Sequence, residues 1–377
     1  MIPYVVVFVF VLLIAIFIDN KRTPNIIKKA MLVVIILTLS LFGGMRSYDT
    51  GIDLKVYGVS WFERAEKSVS FRDYVKKSTL ASDGETKDVG YLYLNYVVAK
   101  TTGNLTAFLV LLQTITNAPI LIVLYRKRNK NPFALSLLIY LCLFYCRNFN
   151  MMRQGAAISL VFLASGEIRE RKIKNFLLLS IIAYSMHSTA IIMTITQILI
   201  ALTRKMPEFH YRRVIKGIFA GSLIFVFMIN TVLLWLYNAG LITNRYYHYI
   251  DTYSNKGFDL PVVDFIMLTI MTLPSLVVFF CKKNNKTERE EITDQALSIE
   301  GLILYLTRLA IVYSDRLSLY FQYHVLIASP AAMKQAQNKR QITLRMLIFV
   351  VAAAAYWFVK NVIFDAYGIM PYRTAMV

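Results

Sequence analysis

The sequence predicts an all-α polytopic integral membrane protein. It reads as one domain over residues 1–377, with about 10–12 transmembrane or re-entrant helices around an outward-facing cavity. Three observations carry this. Hydrophobic residues make up 57% of the 377-residue chain and charged residues only 17%, where soluble chains carry roughly 25% charge. Mean hydropathy is +0.53. The apolar excess falls in long blocks, as membrane spans require. The same composition excludes disordered, collagen-like and disulfide-scaffold classes. Cys142, Cys146 and Cys281 read as small core residues, because a disulfide between i and i+4 on a helix has poor geometry.

The first block, residues 2–18, lacks a basic leader and a small-x-small cleavage site, so it reads as a retained span. Further spans follow at 30–44, 105–125, 133–145, 155–168, 214–237, 262–281, 296–313, 317–333 and 343–359. Many are shorter than the ~20 residues an upright helix needs, which suits helices packed around a cavity. Two stretches resist simple assignment. Residues 89–103 are amphipathic and Tyr-rich, and 175–202 are interrupted at Ser185-Met186-His187-Ser188.

Charge resolves both. The net charge is +20, from 42 Lys and Arg against 22 Asp and Glu. In a soluble protein that would suggest nucleic acid; in a membrane chain cytoplasmic loops collect Lys and Arg. Six short connections do so, around Lys21, Arg126, Arg171, Arg212, Lys282 and Lys339. All six are expected on one side. Residues 89–103 should then enter from the outside without crossing, and 175–202 should form a hairpin with His187 at its apex. Both termini lie outside. The partners expected are membrane lipids and no nucleic acid.

The informative cations are those the loops leave over. Arg46, Arg147, Arg153, Arg308 and Arg316 sit at span ends or inside spans. An Arg at a helix centre costs roughly 2.5–3.5 kcal/mol on insertion scales, so such residues line wet cavities, bind anions or snorkel to the interface. The outer loops are long, at 46–88 and 238–261. The first mixes Trp61, Phe62, Phe71 and Tyr74 with charges, like a helix in the headgroup plane. The second is Tyr-rich around Arg245; such rings serve as interface belt or as sugar-stacking platforms.

Four constellations could carry chemistry. Arg46, Gly51, Asp53 and Tyr57 open the first outer loop; Asp53 is a helix cap, a general base or a partner for Arg46. Arg147 and the pair Arg153-Gln154 flank a polar turn where free helix N–H groups favour an anion such as pyrophosphate. His187 interrupts an apolar run, as a satisfied core residue or a functional one. Arg316 and Tyr320 share a helix face, with His324 one turn deeper and Asp315 set to pair with Arg308 or Arg316. No HExxH, P-loop, GxSxG or Asp-x-Asp pattern occurs, and no two of the four His stand at ligand spacing. A nucleotide- or metal-dependent enzyme is therefore disfavoured, and no metal or cofactor is expected.

These residues resemble the EpsG family, related to Wzy-type repeat-unit polymerases of O-antigen, capsule and exopolysaccharide. The likeness runs through Arg46, Gly51, Asp53 and Tyr57, then Gly90-Tyr91-Leu92-Tyr93-Leu94-Asn95. It continues through Met152-Arg153-Gln154-Gly155-Ala156-Ala157, then Lys172, Phe176, Ala183, His187 and Thr189-Ala190, and ends on Arg316, Tyr320 and Pro371-Tyr372. Ile52 stands where the family often has Thr, and Gly155 where Ile is common.

The resemblance implies a GT-C-like glycosyltransferase in the bacterial inner membrane with its active side facing outward. Its substrates would be oligosaccharides on undecaprenyl pyrophosphate, joined with release of that carrier. A chain-length regulator and a flippase would be its protein partners. On this reading Arg153 and Arg46, with Arg316, hold the pyrophosphate. His187 or Asp53 deprotonates the acceptor. Gln154, Tyr57, Tyr320 and Tyr372 shape the sugar site, beside Arg147, Arg245 and His324. The alternatives are a lipid-linked-glycan ligase, a repeat-unit flippase and a membrane O-acyltransferase.

Overall fold

The structure is a computed structural model that describes residues 1–80, 88–240, 261–281, 288–309, 311, 314–335 and 339–375. Its order is α1 (Ile2–Asp19), α2 (Asn25–Gly44), a π turn (Leu54–Gly58) running into α3 (Val59–Lys67), α4 (Phe71–Leu80), α5 (Val89–Thr102) and α6 (Leu105–Arg126). Then come α7 (Phe133–Tyr140), α8 (Met152–Arg169), α9 (Ile173–Met186), α10 (Ala190–Leu202) and α11 (Glu208–Asn238). The last five are α12 (Val262–Cys281), α13 (Arg289–Tyr305), α14 (Asp315–Gln322), α15 (Val325–Lys334) and α16 (Lys339–Phe358). Among the described residues there is no strand, only an isolated antiparallel bridge between Arg46 and Thr374.

Six helices are long and apolar enough to cross a membrane: α1, α2, α6, α11, α12 and Arg340–Ile363. The chain is thus an all-α, multi-pass membrane protein. Local chemistry explains several boundaries. Asn104 caps α6 by accepting from the Ala107 N–H at 3.2 Å. Gly103 closes α5 with φ +57°, a left-handed position that a Cβ disfavours. Asp19 caps α7 from another helix, taking the Phe133 and Ala134 N–H groups at 2.7 and 2.9 Å.

The helices gather in two compact units, Met1–Ile198 with Val350–Val377, and Leu199–Phe349. In the first, α6 packs on α2 and α8, α1 on α2 and α7, α5 on α3, α6 and α9, and α8 on α9. α8 is buried along most of its length, while α1 turns Val5, Val9, Leu13 and Ile16 outward, as a lipid-facing helix does. In the second, α13 packs on α11, α12, α14 and α15.

The spans differ from expectation in three places. The span at 296–313 begins earlier, at Arg289, because the acidic first turns of α13 are matched by protein: Tyr211 bonds Thr293 at 2.8 Å and His324 bonds Asp294 at 3.0 Å. The stretch 317–333 is two short helices, separated at Tyr323-His324. The aromatic stretch after Arg46 turns its rings onto protein: Trp61, Phe62 and Ala65 of α3 are buried, and the helix packs on α5. The interruption at His187 is present, with α9 ending at Met186 and α10 starting at Ala190.

Candidate functional site

The site lies in the first unit, where the starts of α5 and α8, the α9–α10 break and the π turn before α3 meet. Arg153 is the second residue of α8. Its Nη1 donates to Asp88 Oδ2 at 2.7 Å. Three rings surround the rest of the guanidinium: Tyr57 at 5.0 Å, Trp61 at 5.1 Å and Tyr91 at 6.0 Å from Cζ. These are cation–π distances, and the Tyr57 hydroxyl also takes a hydrogen bond from the guanidinium. Tyr57 and Trp61 are four apart on one helical face and lie 5.1 Å ring to ring. Arg153 keeps 23% of its side chain exposed.

Asp88 is the hub. It occupies the N-cap position of α5, yet its side chain caps nothing there. Instead Oδ2 takes Arg153 and also lies 3.1 Å from His187 Nδ1, while Oδ1 accepts the Ser188 N–H at 3.3 Å. Burial works against the charged carboxylate. The bonds from His187 and the Ser188 N–H and the charge of Arg153 outweigh burial and hold the carboxyl below its ordinary range. His187 itself is 25% exposed. Among the described residues nothing bonds its Nε2.

Asp53 accepts from the Tyr57 hydroxyl at 2.7 Å. That bond fixes Tyr57 under Arg153. Behind it, the loop is locked by the C-terminal segment. Gly51, at φ +99°, donates to the Gly368 carbonyl at 2.9 Å; Ile52 donates to Asn150 Oδ1 at 2.7 Å, and Asn150 donates to the Tyr367 carbonyl at 2.9 Å.

Arg46 stands differently from the expectation. It is fully buried, with no exposed surface for an incoming phosphate. Its Nε donates to the Thr50 carbonyl at 3.2 Å, its Nη1 to the Gly43 carbonyl, and its plane lies over Phe149. A backbone bridge beside it ties Ser47 to Arg373 at 2.7 Å and Ala375 to Met45 at 2.9 Å. Arg46 is a strut. Tyr372 likewise packs inward, stacked on Phe42 at 4.2 Å and donating to the Phe42 carbonyl.

Arg147 lies half-buried in the turn before α8, and Gln154 is buried beside Arg153. Arg245 lies outside the described residues. Arg316, Tyr320 and His324 belong to the second unit. There Arg316 is exposed and Tyr320 buried, Arg308 pairs with Asp315 at 2.9 Å, and His324 is 1% exposed and bonded to Asp294. His324 is thus a buried helix–helix contact and not a surface for substrate. Among the described residues no cluster of three His, Cys, Asp or Glu could hold a metal ion.

Sequence reasoning missed Asp88, Trp61 and Tyr91. An acid directly before a helix reads as an ordinary cap, and rings near a membrane edge read as belt residues. The signal that could have found Asp88 is its place two residues before the Gly90-Tyr91 segment, at the end of a long outer loop.

Fold and site together describe a multi-pass membrane protein that holds one partly exposed Arg in an aromatic cradle, wired through a carboxylate to a His. The chain belongs to the EpsG family, whose model matches residues 29–374, nearly the whole length. EpsG is a family of Wzy-type polysaccharide polymerases, which assigns the chain to polysaccharide biosynthesis. No curated protein and no solved structure gives a significant match.

Proposed function

We propose that the protein joins oligosaccharide repeat units carried on undecaprenyl pyrophosphate, on the outer face of the bacterial cytoplasmic membrane. The observation that supports it most is the Arg153–Asp88–His187 arrangement. It sets a partly exposed cation beside a partly exposed imidazole whose Nε2 no described residue bonds, in a membrane domain.

The chemistry follows from those two groups. The hydroxyl of an incoming lipid-linked unit attacks the anomeric carbon of the growing chain. A new C–O bond forms, and the bond from that carbon to the pyrophosphate oxygen breaks with its electron pair. The hydroxyl proton passes to His187 Nε2. Arg153 stabilises the negative charge growing on the departing pyrophosphate, using donors that its bonds to Asp88 and Tyr57 leave over. Arg147, one turn before α8, is a second phosphate contact. Half-buried Tyr57 offers ring surface for sugar, and buried Trp61 and Gln154 support the same wall. Asp53 is engaged by Tyr57, so His187 is the base. The glycosyl-phosphate bond supplies the energy, so no nucleotide is required.

Glycan length in the producing cell tests this. Loss of polymerase leaves single repeat units attached to their acceptor, whereas loss of a flippase leaves none outside. Deleting the gene should give single units; an absence of all outer glycan would refute the reading.

A further inference from the structure

We propose that Asp88 is a positioning residue that fixes His187 in the Nδ1–H tautomer and thereby leaves Nε2 free to take the acceptor proton. This deepens the reading above and rests on it for the catalytic role of His187.

The first support is what Asp88 does not do. An Asp at a helix N-cap ordinarily accepts from its own helix's N–H groups. Here the carboxylate makes no such bond. Among the described residues its bonds go to other elements: Arg153 of α8, and His187 and Ser188 at the α9–α10 break. The side chain is 6% exposed, so it is no solvated surface acid.

The second support is hydrogen-bond bookkeeping. An ionised carboxylate only accepts. His187 Nδ1, 3.1 Å from Oδ2, must therefore carry the hydrogen. In a neutral ring Nε2 then holds the lone pair. Among the described residues the titratable groups facing Asp88 are Arg153 and His187; on its far side Arg153 meets Tyr57, which is tied to Asp53, and Tyr91. Arg153 on the same oxygen keeps the carboxylate ionised.

The third support is the geometry of the backbone. The Ser188 N–H on Oδ1 pins the residue next to His187, and the His187 N–H closes α9 on the Ala183 carbonyl at 2.9 Å. Ring and backbone are thus both anchored, so Nε2 is aimed and not merely available.

Two measurements test it. The chain has only four His, so a histidine-labelled sample in nanodiscs gives few 15N signals, and His187→Gln assigns the one of interest. At alkaline pH the wild-type His187 should show a protonated Nδ1 and a bare Nε2; the opposite tautomer overturns the proposal without reference to activity. In the second, Asp88→Asn should lower kcat on the order of 10²- to 10⁴-fold with little change in KM. It should also move the acid limb of the kcat/KM profile to lower pH, and Asp88→Glu should restore part of the rate. A wild-type rate and pH profile in Asp88→Asn, while His187→Gln is inactive, would sink the positioning role and leave the polymerase reading standing. A wild type that forms no polymer while showing the expected tautomer would sink the polymerase reading instead.

Discussion

The guanidinium of Arg46 lies 4.6 Å over the ring of Phe149, and its donors end on backbone carbonyls of Gly43 and Thr50. One side chain thus clamps the end of α2, the following loop and the turn before α8. Arg46→Ala would leave two buried carbonyls without their partner and open a hole beneath the C-terminal bridge. Destabilisation on the order of 3 kcal/mol is expected. Arg46→Lys should not rescue it, since one ammonium cannot reproduce the planar fork. Thermal unfolding in nanodiscs checks this; full stability in Arg46→Lys contradicts it.

Gly90 sets the approach of α5 to α9. A Cβ there would sit 2.8 Å from the Ser185 Cβ and 2.9 Å from its carbonyl carbon, too close for any side chain. Gly90→Ala should push the helices apart, cost about 1–3 kcal/mol and loosen Asp88 from His187. Activity should fall more than insertion does. The comparison of polymer yield with membrane abundance decides it.

Acid should release the Asp88 latch. The folded-state carboxyl is held below its ordinary value of 3.8. A depressed carboxyl contributes stability above its unfolded value and loses it as pH falls through the folded one. The melting temperature should therefore be insensitive to this group from neutrality down to about pH 4 and drop below that. Asp88→Asn should flatten that acid-side slope. An identical slope in the variant would show that other carboxylates govern it.

Tyr57 should separate ring from hydroxyl. Tyr57→Phe keeps the face under Arg153 and loses the hydroxyl's bonds to Asp53 and Arg153, so a loss of several-fold is expected, near the ~1 kcal/mol of a hydrogen bond. Tyr57→Ala removes the face as well, and cation–π contacts of ~0.5–2 kcal/mol go with it. Steady-state kinetics on lipid-linked units should rank Phe above Ala; the reverse order would remove the ring from the site.

Much of this was legible in residues. The apolar blocks located α1, α2, α6, α11 and α12, because lipid-facing helices must be apolar along their length. The His187 interruption and the Arg153 helix start followed from polar residues in apolar surroundings. What periodicity could not show was pairing between distant segments. Asp88 looks like a cap and becomes a hub only when α8 and the α9–α10 break come beside it. Arg46 looked like a phosphate ligand because a sequence does not reveal that carbonyls of its own loop take its donors. The acid-rich start of α13 escaped hydropathy because its polar groups are matched by neighbouring helices, which composition along one segment does not register. The break at Tyr323-His324 escaped for a related reason: there the backbone bonds tighten to i−3 partners, His324 to Phe321 and Leu326 to Tyr323, a change that composition does not register.

The proposed transfer rests on Arg153 and His187. The most direct measurement is polymerisation by the purified protein in nanodiscs, supplied with the host's own lipid-linked repeat units. Wild type should give products longer than one unit and release undecaprenyl pyrophosphate. Arg153→Ala and His187→Ala, inserted at wild-type abundance, should each fall on the order of 10²-fold or more. Wild-type rates in both would contradict the account.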